Sequence, residues 1–149
     1  MPLDPGYVGH TFPPTTPYRV GREKIREFAD AIGAPDAVYR DPAAAVAMGY
    51  PDVIAPPTFP IMVAHPTIHQ MIDDPHLGLD FSRVVHGEQR FVYTRPIHSG
   101  DVLVCVCTID DISMRAGLGF VTSSTAITTE DGEPVVVGVS KLVVRGEDS

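Results

Sequence analysis

The sequence predicts an α+β fold in which one buried helix is followed by a long antiparallel sheet that wraps around it. Three observations predict it. From Thr58 to about Met71 the run TFPIMVAHPTIHQM is apolar on nearly all sides, as suits a helix surrounded by protein rather than lying on a surface. Beyond Asp80 come VVHGEQRFVYTRP, DVLVCVCTIDDIS, GFVTSSTAITTED and EPVVVGVSKLVVRG, all rich in Val, Ile, Thr and aromatics, the composition of strands. Turn formers separate them: Ser99-Gly100-Asp101, Arg115-Ala116-Gly117 and Asp131-Gly132. A chain of 149 residues suits a single domain spanning 1–149, with a meander of strands and no internal repeat.

The elements follow in order. The first forty residues are dense in turn formers, with PPTTP before YRVGREKIREFADAIG. There Ile25, Phe28, Ala29 and Ile32 recur at i, i+3, i+4 and i+7, one apolar helical face, with Glu23, Lys24, Arg26, Glu27 and Asp30 outside it. Gly33 marks the end of that helix. After the loop APDAVYRDP a second short helix is expected over PAAAVAMG, with Asp41-Pro42 well formed to open it. In the central helix Pro60 fits an opening turn, while Pro66 should kink or shorten it. The acidic tail, about 146–149, is expected to fray.

Composition excludes several function classes. Eleven basic against nineteen acidic side chains give a formal charge of −8, the wrong sign for holding a nucleic acid through its phosphates. The same sign repels acidic proteins, so a dock for one would need a local basic cluster or another subunit. No run approaches the eighteen or so apolar residues of a membrane span. The start MPLDPGYVGH has neither a basic region nor an apolar stretch, so a cytoplasmic protein is expected. Cys105 and Cys107 lie two apart in an extended run, pointing to one face, and read as packing thiols rather than a disulfide or metal pair.

Two sequence signatures point further: G-x-x-x-x-x-Y-R-D-P from Gly33 followed by GYPDVIAPPTF, and RPIHSGDVL entering a long strand. With these the chain resembles the MaoC-like hydratase/dehydratase family, of the N-terminal, FAS1-type dehydratase region kind. It is similar to the non-catalytic subunits of actinobacterial Had-type (3R)-hydroxyacyl-ACP dehydratases. The resemblance covers nearly the whole chain and implies a hotdog fold, with the sheet as bun and the helix at 58–71 as sausage, and two such units sharing a continuous sheet.

Active members of that family carry a loop of the form G-D-x-N-P-L-H, whose Asp and His flank the thioester. With Gly33 as anchor, the Asp position holds Ala34, the Asn position Asp36, the Pro position Ala37 and the His position Tyr39. Eliminating water from a 3-hydroxyacyl thioester needs a base with a near-neutral pKa and a proton donor. Alanine is neither, and the Tyr39 phenol would need to fall by about 3 units to act as a base. At the start of the central helix the active pattern has a glycine whose N–H polarises the thioester carbonyl, whereas this chain has Pro57, which carries no N–H. No catalytic residue is therefore expected, with Asp36 and His86 as weak candidates.

Asp36 and Asp41 read as turn and cap residues rather than a carboxylate pair. His65 and His69 have the spacing of two metal ligands, but they lack the glutamate of H-E-x-x-H and have Pro66 between them. Satisfied or interface histidines are the expectation, with no metal and no cofactor. The resemblance places His86 and Gly87, in VVHGEQRF, at the substrate groove, together with Pro57, Thr58, Phe59, Ile61 and Met62 along an acyl channel.

The expected function is a non-catalytic subunit of a (3R)-3-hydroxyacyl-thioester dehydratase or hydratase in fatty-acid metabolism. It would form the acyl-binding wall beside a catalytic MaoC-like hotdog partner in a heterodimer, on acyl-ACP or acyl-CoA. Two alternatives stand beside it: a self-sufficient homodimeric hydratase or thioesterase with relocated residues, and an acyl-CoA-binding module.

Overall fold

The computed structural model describes residues 3–146, so all of the expected frayed tail beyond Gly146 lies outside the described residues. The first helix, α1, spans Arg22–Ala31 and buries Ile25 and Ala29, while Phe28 packs on the core from its flank. Ile32, expected on the same face, is 49 % exposed, because the helix has already ended when the chain reaches it. A 3-10 turn at Ala37–Tyr39 leads to α2, Pro42–Ala47, which Asp41 opens by accepting a 3.0 Å hydrogen bond from the Ala43 N–H.

The central helix is two helices, α3 at Pro60–Val63 and α4 at His65–Asp73, hinged at Ala64. Pro66 is the reason. A proline lacks the N–H that a helix interior would use, so it sits in the first turn of a new helix instead. Among the described residues no helix is long and apolar enough to cross a membrane.

Five strands form one antiparallel sheet: β1 (Tyr18–Arg19), β2 (Val84–Tyr93), β3 (Val102–Arg115), β4 (Leu118–Thr129) and β5 (Pro134–Arg145). Their spatial order is β1-β3-β4-β5-β2, and the sheet curls around the central helices in the hotdog arrangement. All four expected long strands are present, but only β3, β4 and β5 form a meander. β2 crosses to the far edge and pairs with β5, from Val84 against Val144 to Tyr93 against Val136. The connection from Thr94 to Asp101 is too long for a tight hairpin, and hydrogen bonds hold it away, from Thr94 N–H to the Val135 carbonyl and from Ser99 N–H to that of Val53.

Alternation along β3 buries Leu103, Cys105, Cys107 and Ile109. Both cysteines are free thiols on one face, as expected, but they serve different halves of the core. Cys105 belongs to a cluster with Ile25, Phe59, Val63 and Ile97; Cys107 belongs to a second with Met71, Leu77, Val121 and Leu142. The outer side of β3 is covered by the N-terminal segment, whose Phe12 and Thr15 N–H groups donate to the Cys107 and Cys105 carbonyls. The outer edge of β2 pairs with no strand among the described residues.

Candidate functional site

The site grows from the end of α1. Gly33 adopts φ +72°, the left-handed conformation that glycine adopts without cost, and its N–H donates to the Asp30 carbonyl. The Ala34 N–H reaches back to the Ala29 carbonyl at 2.9 Å, which completes a Schellman cap. The glycine that anchors the active-loop pattern thus has a structural duty here. Arg40 then clamps the loop: its Nη2 lies 2.6 Å from Asp30 Oδ1 and 2.7 Å from the Ala34 carbonyl oxygen. This arginine bridges helix and loop and so holds the loop's frame.

The loop delivers Tyr39 to the start of the central helices. Tyr39, Ile54, Ala55, Pro57, Tyr93, Thr94, Arg95 and Pro96 line a cavity of about 310 Å³. Pro57 stands three residues before the first residue of α3, Pro60, rather than at its opening position. Pro56, Pro57 and Pro60 carry no N–H, and the N–H groups of Phe59, Ile61 and Met62 donate to the carbonyls of Pro56, Thr58 and Phe59. Among the described residues, that leaves Thr58 with the one N–H between 56 and 62 not bonded to backbone.

The cavity's electrostatics disfavour a phenolate base. Burial, with Asp36 and Tyr50 nearby, raises the Tyr39 phenol above its ordinary value, the opposite of what a base requires. Tyr93 is raised further by burial and by Tyr39. Its hydroxyl donates to the Pro57 carbonyl at 2.6 Å, bringing the end of β2 onto the helix start. The Arg95 guanidinium is occupied: Nη1 and Nη2 each lie 2.9 Å from the Asp101 carboxylate, and Nε lies 2.7 Å from Glu133. Burial alone would raise Asp101, yet Arg95, the His98 N–H and the His98 ring together hold it below the usual carboxylate range. Among the groups lining the cavity, none is a base poised near neutral pH.

The other sequence candidates scatter. Ala34 and Asp36 sit on the loop outside the cavity lining, and the Asp41 carboxylate caps α2, so no carboxylate pair forms. Thr58 is exposed, while Phe59 is fully buried, edge-on to Phe28 at 5.4 Å, and serves the core. Met62 and Ile61 line a separate groove of about 510 Å³ with Tyr18, His65 and Leu103. His86 and Gly87 lie far along β2, roughly 20 Å from Tyr93 at ~3.3 Å per residue. His86 is exposed, with Nε2 3.0 Å from the Glu88 carbonyl oxygen. Gly87 sits in a bulge where a Cβ would approach Val143 to 3.0 Å. Sequence reasoning missed Arg40, Tyr93 and Arg95. Tyr93 reaches Pro57 across 36 residues, and no local pattern announces such a contact.

Comparison with known proteins matches residues 6–137 to the family described as FAS1-like, dehydratase domain region. A UPF0336 protein of Saccharopolyspora erythraea is 54 % identical over 146 residues, covering 98 % of this chain and 94 % of the relative. One from Streptomyces avermitilis is 52 % identical, covering 99 % of both. Among solved structures, the C-terminally truncated HadBC (3R-hydroxyacyl-ACP dehydratase) complex from Mycobacterium tuberculosis superimposes with a TM-score of 0.83 at 29 % identity, covering 92 % of this chain and 96 % of that one. The ChsH1-ChsH2 complex from the same organism shares the fold, with a TM-score of 0.66 at 22 % identity and 89 % of each chain covered.

Proposed function

Because this chain belongs to the FAS1-like dehydratase domain region family and has the MaoC-like hotdog fold, we propose that it is a non-catalytic subunit that completes a dehydratase or hydratase. The observation that carries this reading is the cavity at the helix start. It lies beside the start of the central helices and holds Tyr39 and Pro57 where the family pattern has histidine and glycine, and its phenols are shifted away from neutrality.

The open edge of β2 supports a partner. It is ten residues long, and Val85 and Val92 near its ends are 51 % and 59 % exposed. An unpaired edge flanked by apolar side chains is a template for another strand. That two of the structural neighbours are named as two-component complexes favours a second hotdog unit as the occupant. A partner strand lying antiparallel to β2 with full overlap sets its C-terminal end, the end that bears the cavity in this fold, beside His86. His86 and Gly87 then contribute to the partner's site, and this subunit supplies a wall of the acyl channel. The substrate class is a (3R)-3-hydroxyacyl or enoyl thioester of fatty-acid metabolism, carried on ACP or CoA.

The test is to co-express the chain with a catalytic MaoC-like subunit, purify the complex and measure hydration of an enoyl thioester. The complex should turn over and the free chain should not. Equal activity from this chain alone would overturn the proposal in favour of a self-sufficient enzyme.

A further inference from the structure

His65 and His69 lie on α4 and are not part of the cavity lining. Because Pro66 opens a new helix at His65, His65 and His69 fall on successive turns of one regular helix rather than on either side of a break. Both are exposed. Their Nε2 atoms lie 3.3 Å apart while the ring centroids are 5.0 Å apart, so the two rings converge through these nitrogens. Two nitrogens at ~2.05 Å from a tetrahedral ion are about 3.3 Å apart, which is the separation of a pair of imidazole ligands on zinc.

We propose that His65 and His69 form a two-imidazole site for a borderline divalent transition ion such as Zn2+. Each ring presents its Nε2 lone pair with the proton on Nδ1, and the ion replaces the hydrogen bond that otherwise joins the two nitrogens. Among the described residues no third His, Cys, Asp or Glu completes a cluster, so the remaining coordination positions stay open to water or an external ligand. His65 also borders the apolar groove lined by Ile61, Met62 and Tyr18. An ion bridging i and i+4 staples the first turns of α4 just after the hinge at Ala64. The imidazole class suits Zn2+, Cu2+ and Ni2+ and disfavours Mg2+ and Ca2+, which select oxygen ligands.

The experiment uses the full chain without an affinity tag, stripped with chelator and titrated with Zn2+ alone by calorimetry, alongside His65→Ala, His69→Ala and, as a control, His76→Ala. One equivalent should bind, the melting temperature should rise with Zn2+ concentration, and the ring resonances of His65 and His69 should shift in the NMR spectrum. Each ligand variant should lose about tenfold or more in affinity and the rise in melting temperature, while His76→Ala keeps both. Circular dichroism confirms that the variants fold, which the exposed positions favour. No binding by the wild-type chain, or binding that survives in both ligand variants, would overturn the assignment.

Discussion

The Tyr93 hydroxyl donates a 2.6 Å hydrogen bond to the Pro57 carbonyl, joining the last residue of β2 to the turn before α3. This bond closes one side of the 310 Å³ cavity and ties the end of β2 to the helix start. Tyr93→Phe keeps the ring and removes the donor. A neutral hydrogen bond contributes about 1 kcal/mol, which for a domain of this size lowers Tm by about 2 to 4 °C. Thermal unfolding of the two proteins gives the comparison, and an unchanged Tm would mean that water replaces the hydroxyl without loss.

Asp101 offers a pH-dependent prediction. Its carboxylate is 4 % exposed, and its pKa is held below the usual carboxylate range by Arg95 and the His98 N–H against the opposing effect of burial. A depressed folded-state pKa means that the contribution to stability is complete above the unfolded-state value, about 3.9, and is lost as pH falls through the folded-state value. Asp101→Asn should therefore narrow the stability gap to wild type as pH drops below about 4. At pH 7 Asp101→Ala should cost about 3 kcal/mol, near the low end for a broken buried pair, because Glu133 still holds Arg95. Urea unfolding at both pH values measures each part. An equal gap at both would place the effect in packing rather than charge.

Much of the frame was legible in the sequence because it rests on local rules. The Ile25 and Ala29 face, the Asp41 cap, the strand runs and the break near Pro66 depend on spacing within a turn or on one residue's backbone chemistry. What was not legible depends on contacts that sequence distance hides. The crossing of β2 to the far edge follows from where residues 94–101 are tied down, and Ile32 is exposed because the helix stops one residue before it. The loop's degeneracy could be read from Ala34 and Tyr39. The clamp that preserves its shape, Arg40 on Asp30 and the Ala34 carbonyl, could not, since an arginine in a loop has many acceptors to choose from.

The degenerate loop carries a third prediction. Ala34→Asp with Tyr39→His would return the loop to the Asp and His of the family pattern, yet the free chain should still fail to hydrate an enoyl thioester. Pro56, Pro57 and Pro60 offer no N–H to a developing oxyanion, and one missing donor costs about 3 to 4 kcal/mol, roughly a hundredfold to a thousandfold in rate. Adding Pro57→Gly supplies the donor, so activity should emerge only in the triple variant, with a stability loss of up to about 1 kcal/mol from the freer unfolded chain. Robust turnover by the double variant would show that the Thr58 N–H already suffices.

The placement of the two thiols gives the molecule a built-in pair of clocks. Burial pushes the Cys105 thiol up to about 11 and raises Cys107 as well, and neither reaches solvent in the folded chain. An alkylating reagent can therefore label them only when β3 is exposed. Cys105 reports on the half of the interior around Phe59, and Cys107 on the half around Met71. One continuous strand carries both, so pulsed labelling read by mass spectrometry should modify them at the same rate, as a single cooperative unit. Faster labelling at Cys105 would instead identify the cavity end as a region that opens independently while the other half stays shut.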